Sequence, residues 1–409
     1  MKSTDISLNY QPVSDCEPVI VEACRTPIGK AYGIFATLSM ETLLAPLFHK
    51  ILDQQKIQPA DVDVDEVILG NATGGGGNIA RLAALHAGLP DSVPAVTLDR
   101  QCGSGLEAVI HACRLVQAGA GECYLAGGVE SVSTAPWRVE KPQTLKQMPR
   151  FYARARFSPD EIGDPDMGIA AENVAQKCGI SRQRQDSFAL RSHQRAVSAA
   201  QNGLFADEIV AVEVGGETRR EDECPRPNAS MAGLEKLSPV FVANGSVTAG
   251  NCCPLNDGAS LLLVMSRKKA REWGFTRGLM FVDACSAGVS PNYLGLGPVP
   301  STQKLLARQP ALTLDDVSII EFNEAFAAQV LGSIDALGID EQRINLQGGA
   351  IALGHPYGAS GGVMVTRLFS QLIRQKSHDE TLAHPQFAMA MLGIAGGLGL
   401  TALFKTTVL

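Results

Sequence analysis

Apolar residues recur along this chain in two registers. VIVEAC at 19–24 and EVILG at 66–70 are short apolar runs of strand length, and the stretches 94–99 and 122–127 read the same way. Between them the apolar positions return every three or four residues, which predicts helices around 40–55, 79–87 and 103–117. The last part of the chain repeats the order: strand 280–285, helix 302–309, strand 317–322, helix 324–337, a strand near 344–347, helix 359–374, then strands 387–392 and 399–405. Strands alternating with helices predict a parallel sheet covered on both faces. Even the turns correspond. Cys102-Gly103-Ser104-Gly105 and Gly358-Ala359-Ser360-Gly361 each open the third helix of a half, so two such halves packed through shared helices would bring both turns to the centre.

The intervening stretch has another character. It carries Pro136, Pro142, Pro149, Pro159 and Pro165, arginines at 150, 154 and 156, and a helical run around 168–201. A strand at 259–265 then returns to complete the first sheet. The expected division is a first half formed by 1–130 with 253–277, a large inserted loop domain at 131–252, and a second half at 278–409. Loops covering a rigid sheet are where specificity is usually carried.

Length and composition narrow the function. A chain of 409 residues with 45% hydrophobic and 19% charged residues is an ordinary globular protein with a large core. The net charge of -7 argues against nucleic acid or an anionic membrane as the main partner, while leaving room for a local basic site for a phosphorylated ligand. No apolar run reaches the roughly 18 residues of a membrane span. The opening MKSTDISLNYQPVSD has neither a signal-peptide core nor an arginine-rich amphipathic pattern, and Val408-Leu409 is no peroxisomal address, so a cytoplasmic location is expected. The ten cysteines then read as reduced thiols. Neither Cys252-Cys253 nor the scattered His86, His111, His193, His378 and His384 has metal-ligand spacing, and no metal is expected.

Candidate chemistry begins at Cys102, in a glycine-rich turn between strand and helix. From Leu106 the apolar residues Val109, Ile110, Cys113 and Val116 follow helical spacing, which sets Cys102 at the helix N-terminus, where free N–H groups and the macrodipole lower a thiol's pKa. A structural cysteine beside a helix cap fits this turn equally. Three more segments embed polar residues in glycine or apolar context: SVTAGNCCPLNDGAS at 246–260, FNEAFAAQ at 322–329 and GGAIALGHPYGASGG at 348–362. His355 could take a cysteine's proton or donate to an oxyanion, or be an ordinary loop histidine. Asn323 could fix a water or a carbonyl oxygen, or cap a helix.

Together with VIVEACRTPIGK at 19–30, Ala80-Arg81, AGGVESVSTAP at 126–136, DMGIAAENVA at 166–175 and GPVPS at 297–301, these segments resemble the thiolase family from Val19 to Phe404. The resemblance implies an α/β fold of two βαβαβαββ halves in a five-layer αβαβα core, with a loop domain binding coenzyme A, assembled as a homodimer or homotetramer. It implies acyl-CoA thioesters as substrates, with coenzyme A as substrate or product and no permanently bound cofactor. Cys102 would be the nucleophile and His355 its activator. Asn323 would hold the water that, with His355, forms one oxyanion hole, and the Cys102 backbone N–H would contribute to the other. Met167, of the DMG segment, and Arg226 would lie along coenzyme A, Arg226 near its nucleotide end, where a planar guanidinium suits phosphate.

The likeness also breaks. Where the family carries a second cysteine, the general base of carbon–carbon chemistry, this chain reads Gly393-Ile394-Ala395-Gly396-Gly397. Ala395 replaces a glycine whose N–H completes an oxyanion hole and would be strained at positive φ. Cys253 stands for a serine of the pantetheine-contacting segment, and Asp166 for a histidine. Three readings follow: Claisen condensation or thiolysis with Cys253, Asp166 or substrate replacing the base; a single-cysteine or decarboxylative acyl transfer, with a partner subunit or acyl carrier protein in play; and a non-catalytic acyl-CoA-binding role.

Overall fold

The computed structural model describes residues 15–54, 63–152, 154–376 and 385–409. The first half runs β1 (Pro18–Arg25), β2 (Gly29–Lys30), α1 (Met40–Gln54), β3 (Glu66–Gly70), α2 (Ile79–His86), β4 (Ala95–Leu98), α3 (Ser104–Gln117) and β5 (Cys123–Ser131). The insertion holds a hairpin of β6 (Arg138–Glu140) and β7 (Arg150–Tyr152), helices α4 (Met167–Cys178) and α5 (Arg182–Gln201), a second hairpin of β8 (Val212–Val214) and β9 (Glu217–Arg219), and α6 (Met231–Glu235). Next come β10 (Asn256–Ser266), α7 (Arg267–Glu272), β11 (Arg277–Gly288), α8 (Pro298–Ala307), β12 (Val317–Phe322), α9 (Ala327–Leu337), α10 (Ala350–Leu353), α11 (Tyr357–Phe369), β13 (Phe387–Ile394) and β14 (Leu398–Val408).

Strand order shows the internal repeat directly. The first half pairs as β4-β3-β5-β10-β1 and the second as β12-β13-β14-β11, with Ile344 bridging the free side of β12 where the first half has β4. The two ladders join through Val19↔Met280 and Ile20↔Leu279. Pairing is parallel among β3, β4 and β5 and between β12 and β13, where helices cross over, but antiparallel at β10, β1, β14 and β11. The expected parallel sheet is thus parallel at its crossovers and antiparallel elsewhere, a mixed sheet. A turn of only Ala395 to Gly397 joins β13 to β14, too short for a parallel crossover.

Buried side chains sort into layers by strand alternation. Val19 and Val21 face α1 and α2, whereas Ile20 faces α3 and α11, as a period of two requires. The second sheet lays Phe281, Ala390 and Phe404 on the same central helices, while Met389, Met391 and Leu403 pack with α9 and Leu305 of α8. Helices thus cover both outer faces and fill the middle, the five-layer αβαβα arrangement expected from the sequence. The two matching turns meet in that middle. A Cβ on Gly105 would lie 2.5 Å from Gly358 O, and one on Gly361 only 2.0 Å from Leu106 N, so backbone packs on backbone there. A buried charge chain ties the insertion to both halves: Arg25 of β1 meets Glu208 at 2.9 Å and Asp222 at 2.7 Å, and Arg367 of α11 meets Glu208 at 2.6 Å.

Several predicted elements shift, each for a local reason. No strand forms at 344–347, because the Asn345 side chain takes over the ladder: its Oδ1 accepts from Phe322 N at 2.7 Å and its Nδ2 donates to Phe322 O at 2.8 Å. The run 168–201 breaks at Gly179, left-handed at φ 66°, into α4 and α5. The helix predicted at 302–309 begins four residues earlier, with Pro298 at its first position. The helix predicted at 324–337 starts only at Ala327.

Glu321 on β12 is buried, with Gln371 Nε2 at 2.7 Å, and burial pushes its pKa from 4.5 up to about 7. A carboxyl raised in this way stabilises the fold below pH 4.5 and loses that contribution as pH climbs through about 7. Glu321→Gln is expected to raise stability at pH 8, by up to about 3 kcal/mol, and to change it little at pH 5. Thermal melts at both pH values check this; an equal gain at both, or a loss at pH 8, contradicts it.

Among the described residues no helix is long and apolar enough to cross a membrane, and no group of three or more His, Cys, Asp and Glu could hold a metal.

Candidate active site

Cys102 sits on a turn built by its neighbours' polar side chains. The Asp99 carboxylate accepts from Gln101 N at 2.8 Å and from Gln101 Nε2 at 3.0 Å, holding Gln101 at φ 49°, a conformation a non-glycine residue seldom takes. Ser104 Oγ accepts from Arg100 N at 2.8 Å and donates to Gln101 O at 2.6 Å. α3 starts at Ser104, so Cys102 precedes the helix rather than opening it. Burial pushes its thiol pKa up to about 11, outweighing the nearby backbone N–H groups of Ala395 and of Cys102 itself, which favour the thiolate. The expectation of a lowered thiol pKa is thereby corrected: enclosure, not the helix terminus, dominates.

Ala395 is free of the strain anticipated for it. Positive φ falls on the next two residues, Gly396 at 81° and Gly397 at 80°, and not on Ala395. The turn places its demanding angles on Gly396 and Gly397, so Ala395 keeps an unstrained backbone N–H.

His355 is buried and braced on three sides. Its backbone N–H donates to Asn256 Oδ1 at 2.8 Å, its Nδ1 meets Ser360 Oγ at 2.6 Å, and its Nε2 meets Asn323 Nδ2 at 3.3 Å. An amide nitrogen only donates, so Nε2 carries the lone pair and Nδ1 the proton given to Ser360. Burial pushes the imidazole pKa down to about 3, which keeps it neutral. Gly354 before it, at φ 114°, lets the loop pass within 2.6 Å of Asn256 Nδ2 where a Cβ would stand. Glu324, beside Asn323, accepts from Ser192 Oγ at 2.6 Å, Asn345 Nδ2 at 2.7 Å and Ile351 N at 3.1 Å. Glu130 likewise accepts from Gly358 N at 2.9 Å and from Thr73 and Asn71. These two carboxylates fasten the loops that carry Asn323 and the start of α11.

A cavity of about 740 Å³ opens over Cys102 and is also lined by Ala395, Met167, Leu255 and Tyr357. Leu255 pairs with His355 as an isolated bridge, and the Tyr357 ring stands edge-on to the imidazole at 5.1 Å. Cys102, His355, Asn323, Met167 and Ala395 therefore gather at one place. Cys253 is close enough to Cys102 to raise its own thiol pKa further, after burial has already pushed it well up, and its N–H donates to Ala325 O at 3.0 Å. Gly393 lies on β13 opposite Gly399. Arg226 is exposed and does not line the cavity; its backbone N–H donates to His193 Nδ1 at 3.3 Å. Asp166 is ion-paired with Arg154 at 3.1 Å and its side chain is 70% exposed, turned to solvent.

The profile of the thiolase N-terminal domain matches residues 18–268, and that of the thiolase C-terminal domain matches 278–406. The chain belongs to the thiolase family. With the family comes the enzyme class, an acyltransferase. VraB of Staphylococcus epidermidis, which carries a provisional acetyl-CoA C-acetyltransferase name, is 48% identical over 392 residues, spanning 95% of this chain and 98% of the relative. The crystal structure of the Bacillus anthracis acetyl-CoA acetyltransferase is 34% identical, with a TM-score of 0.86 over 96% of this chain and 99% of that one. A human mitochondrial 3-ketoacyl-CoA thiolase solved in complex with CoA is 33% identical, with a TM-score of 0.87 over 96% and 98%.

Reading the thiolase motifs in sequence missed Ser360, Asn256 and Gln329. Ser360 stood in a turn noted only for its repeat, and its spacing of five from His355 was the available signal. Gln329, buried on α9, has neither side-chain polar atom hydrogen-bonded. It closes the FNEAFAAQ segment singled out for its polar residues, but nothing there separates it from a core helix residue.

Proposed function

We propose that this thiolase takes an acyl group from an acyl-CoA thioester onto Cys102 and works on 3-ketoacyl-CoA by condensation or thiolysis. The observation that carries the proposal is the neutral His355, its lone-pair Nε2 beside Asn323, behind a cavity lined by the Cys102 thiol and by Ala395. The Cys102 proton passes to His355 Nε2 as Sγ bonds to the thioester carbonyl carbon. The carbonyl oxygen becomes an oxyanion, held by the N–H groups of Cys102 and Ala395 or by His355 with a water on Asn323. Its collapse breaks the C–S bond to coenzyme A, and the leaving thiolate takes the proton from His355.

Coenzyme A would enter past Met167, with residues 131–252 covering it and the two halves, 1–130 with 253–277 and 278–409, supplying the catalytic floor. CoA held by the related human thiolase supports this ligand. Arg226 would meet the nucleotide only at the cavity's outer approach, since it lies outside the lining.

Gly393 favours a second reading of the other half-reaction. A strand residue with no side chain abstracts no proton, so a single-cysteine transfer or a decarboxylative condensation needs only what is present. Asp166, salt-bridged and facing solvent, is poorly suited as the missing base. Intact-protein mass spectrometry after mixing with a panel of acyl-CoA thioesters tests the first half-reaction. A mass gain equal to the acyl group, absent in Cys102→Ser, is expected; no adduct from any donor overturns it.

A further inference from the structure

The cavity above Cys102 is larger than an acetyl group needs, and it is not electrically neutral. Beyond the reacting end its wall comes from the β6–β7 hairpin and its flanks: Trp137, Phe151, Tyr152 and Phe157, with Trp137 and Phe151 edge-to-face at 5.8 Å. Such a wall suits a carbon chain. Among the described residues no aspartate or glutamate lines it, but two arginines do, Arg138 and Arg154.

Their charges are in different states. Arg154 is neutralised: Nη1 contacts Asp164 at 2.9 Å and Nε contacts Asp166 at 3.1 Å. Nearby cations are also committed, Arg150 to Glu140 at 3.1 Å and Arg156 to Asp160 at 2.8 Å. Arg138, half-buried at the start of β6 and opposite Tyr152, has no ion pair or hydrogen bond from its side chain among the described residues. A half-buried guanidinium in the cavity lining that no carboxylate engages is open to an incoming anion. Its planar fork fits a carboxylate through two parallel N–H···O bonds.

We propose that the acyl group taken by this enzyme ends in a carboxylate, and that Arg138 binds it, making the substrates ω-carboxyacyl thioesters. The proposal rests on Cys102 being acylated, as argued above, and adds the chemical class of the acyl group. The same guanidinium chemistry would suit a phosphate of coenzyme A, and the test separates the two.

Three matched pairs serve: succinyl- and butyryl-CoA, adipyl- and hexanoyl-CoA, suberyl- and octanoyl-CoA. The rate of Cys102 acylation is followed by intact mass. For at least one pair the carboxylated member is expected to react about 10–100-fold faster. Arg138→Met should collapse that ratio towards one, and Arg138→Lys should keep part of it. Faster reaction of the uncharged member at every length, or a ratio untouched by Arg138→Met, overturns the proposal. Equal slowing of both members by Arg138→Met also overturns it, because Arg138 then meets coenzyme A, which both share. If no thioester acylates Cys102, the fault lies in the acyl-enzyme reading itself; acylation by uncharged chains with no carboxylate preference condemns the Arg138 proposal alone.

Discussion

Gly393→Cys is expected to raise thiolysis of 3-ketoacyl-CoA by about 10²–10⁴-fold, the usual contribution of a positioned general base. The site has room for the change. A Cβ on Gly393 would lie 3.4 Å from Gln329 Nε2, 3.4 Å from Gly295 O and 3.5 Å from Gly295 Cα, all ordinary contact distances. Gly393 has no positive φ, so a side chain adds no backbone strain. Gln329 is already buried with its carboxamide unbonded, a cost of about 1–3 kcal/mol that a neighbouring thiol could partly relieve. Gly393→Ala fills the same space without a titratable group and should gain nothing. Steady-state thiolysis of the three proteins decides the matter. An inactive Gly393→Cys that still forms the acyl-enzyme would mean that the second half-reaction has been rebuilt more widely than at one residue.

Cys102 in the substrate-free enzyme is expected to react with iodoacetamide about tenfold faster for each pH unit between 7 and 10, close to a thousandfold in all. The thiolate is the nucleophile, and burial pushes this thiol up to about 11, so each unit below that value reduces the reactive fraction tenfold. His355, pushed down to about 3 by burial, does not supply the imidazolium that would hold a thiolate at neutral pH. The resting pair is therefore thiol and imidazole, and the proton moves only when a carbonyl carbon is there to be attacked. Peptide mapping of alkylated Cys102 against pH measures this directly. A rate flat from pH 6 to 9 would show a preformed ion pair and contradict the burial argument.

Much of this was legible in the chain. The run at 66–70 reads as a strand because four consecutive apolar or glycine positions follow Glu66, and β3 occupies those residues. The repeat of strand, turn and helix carried enough information to place two glycine turns face to face. What stayed hidden depended on side chains acting as backbone. Asn345 substitutes its carboxamide for a ladder pair, and no periodicity records that. Cys102 shows a related limit. Sequence position suggested a helix terminus and a lowered pKa, but the balance between nearby N–H groups and burial is set by residues far away, Ala395 among them. Ser360 and Asn256 matter to His355 through distances that spacing alone does not give.

Where the two glycine turns meet, the halves pack backbone against backbone: Gly105 on Gly358, Gly361 on Leu106, Gly128 on Gly358. Where side chains interlock, a loss on one surface can be offset by a gain on the other, and interfaces drift in compensated steps. A contact made by carbonyls and amides offers nothing to exchange. Substitution is thus costly at these glycines and cheaper at positions that carry side chains or can accept one, such as Gly393.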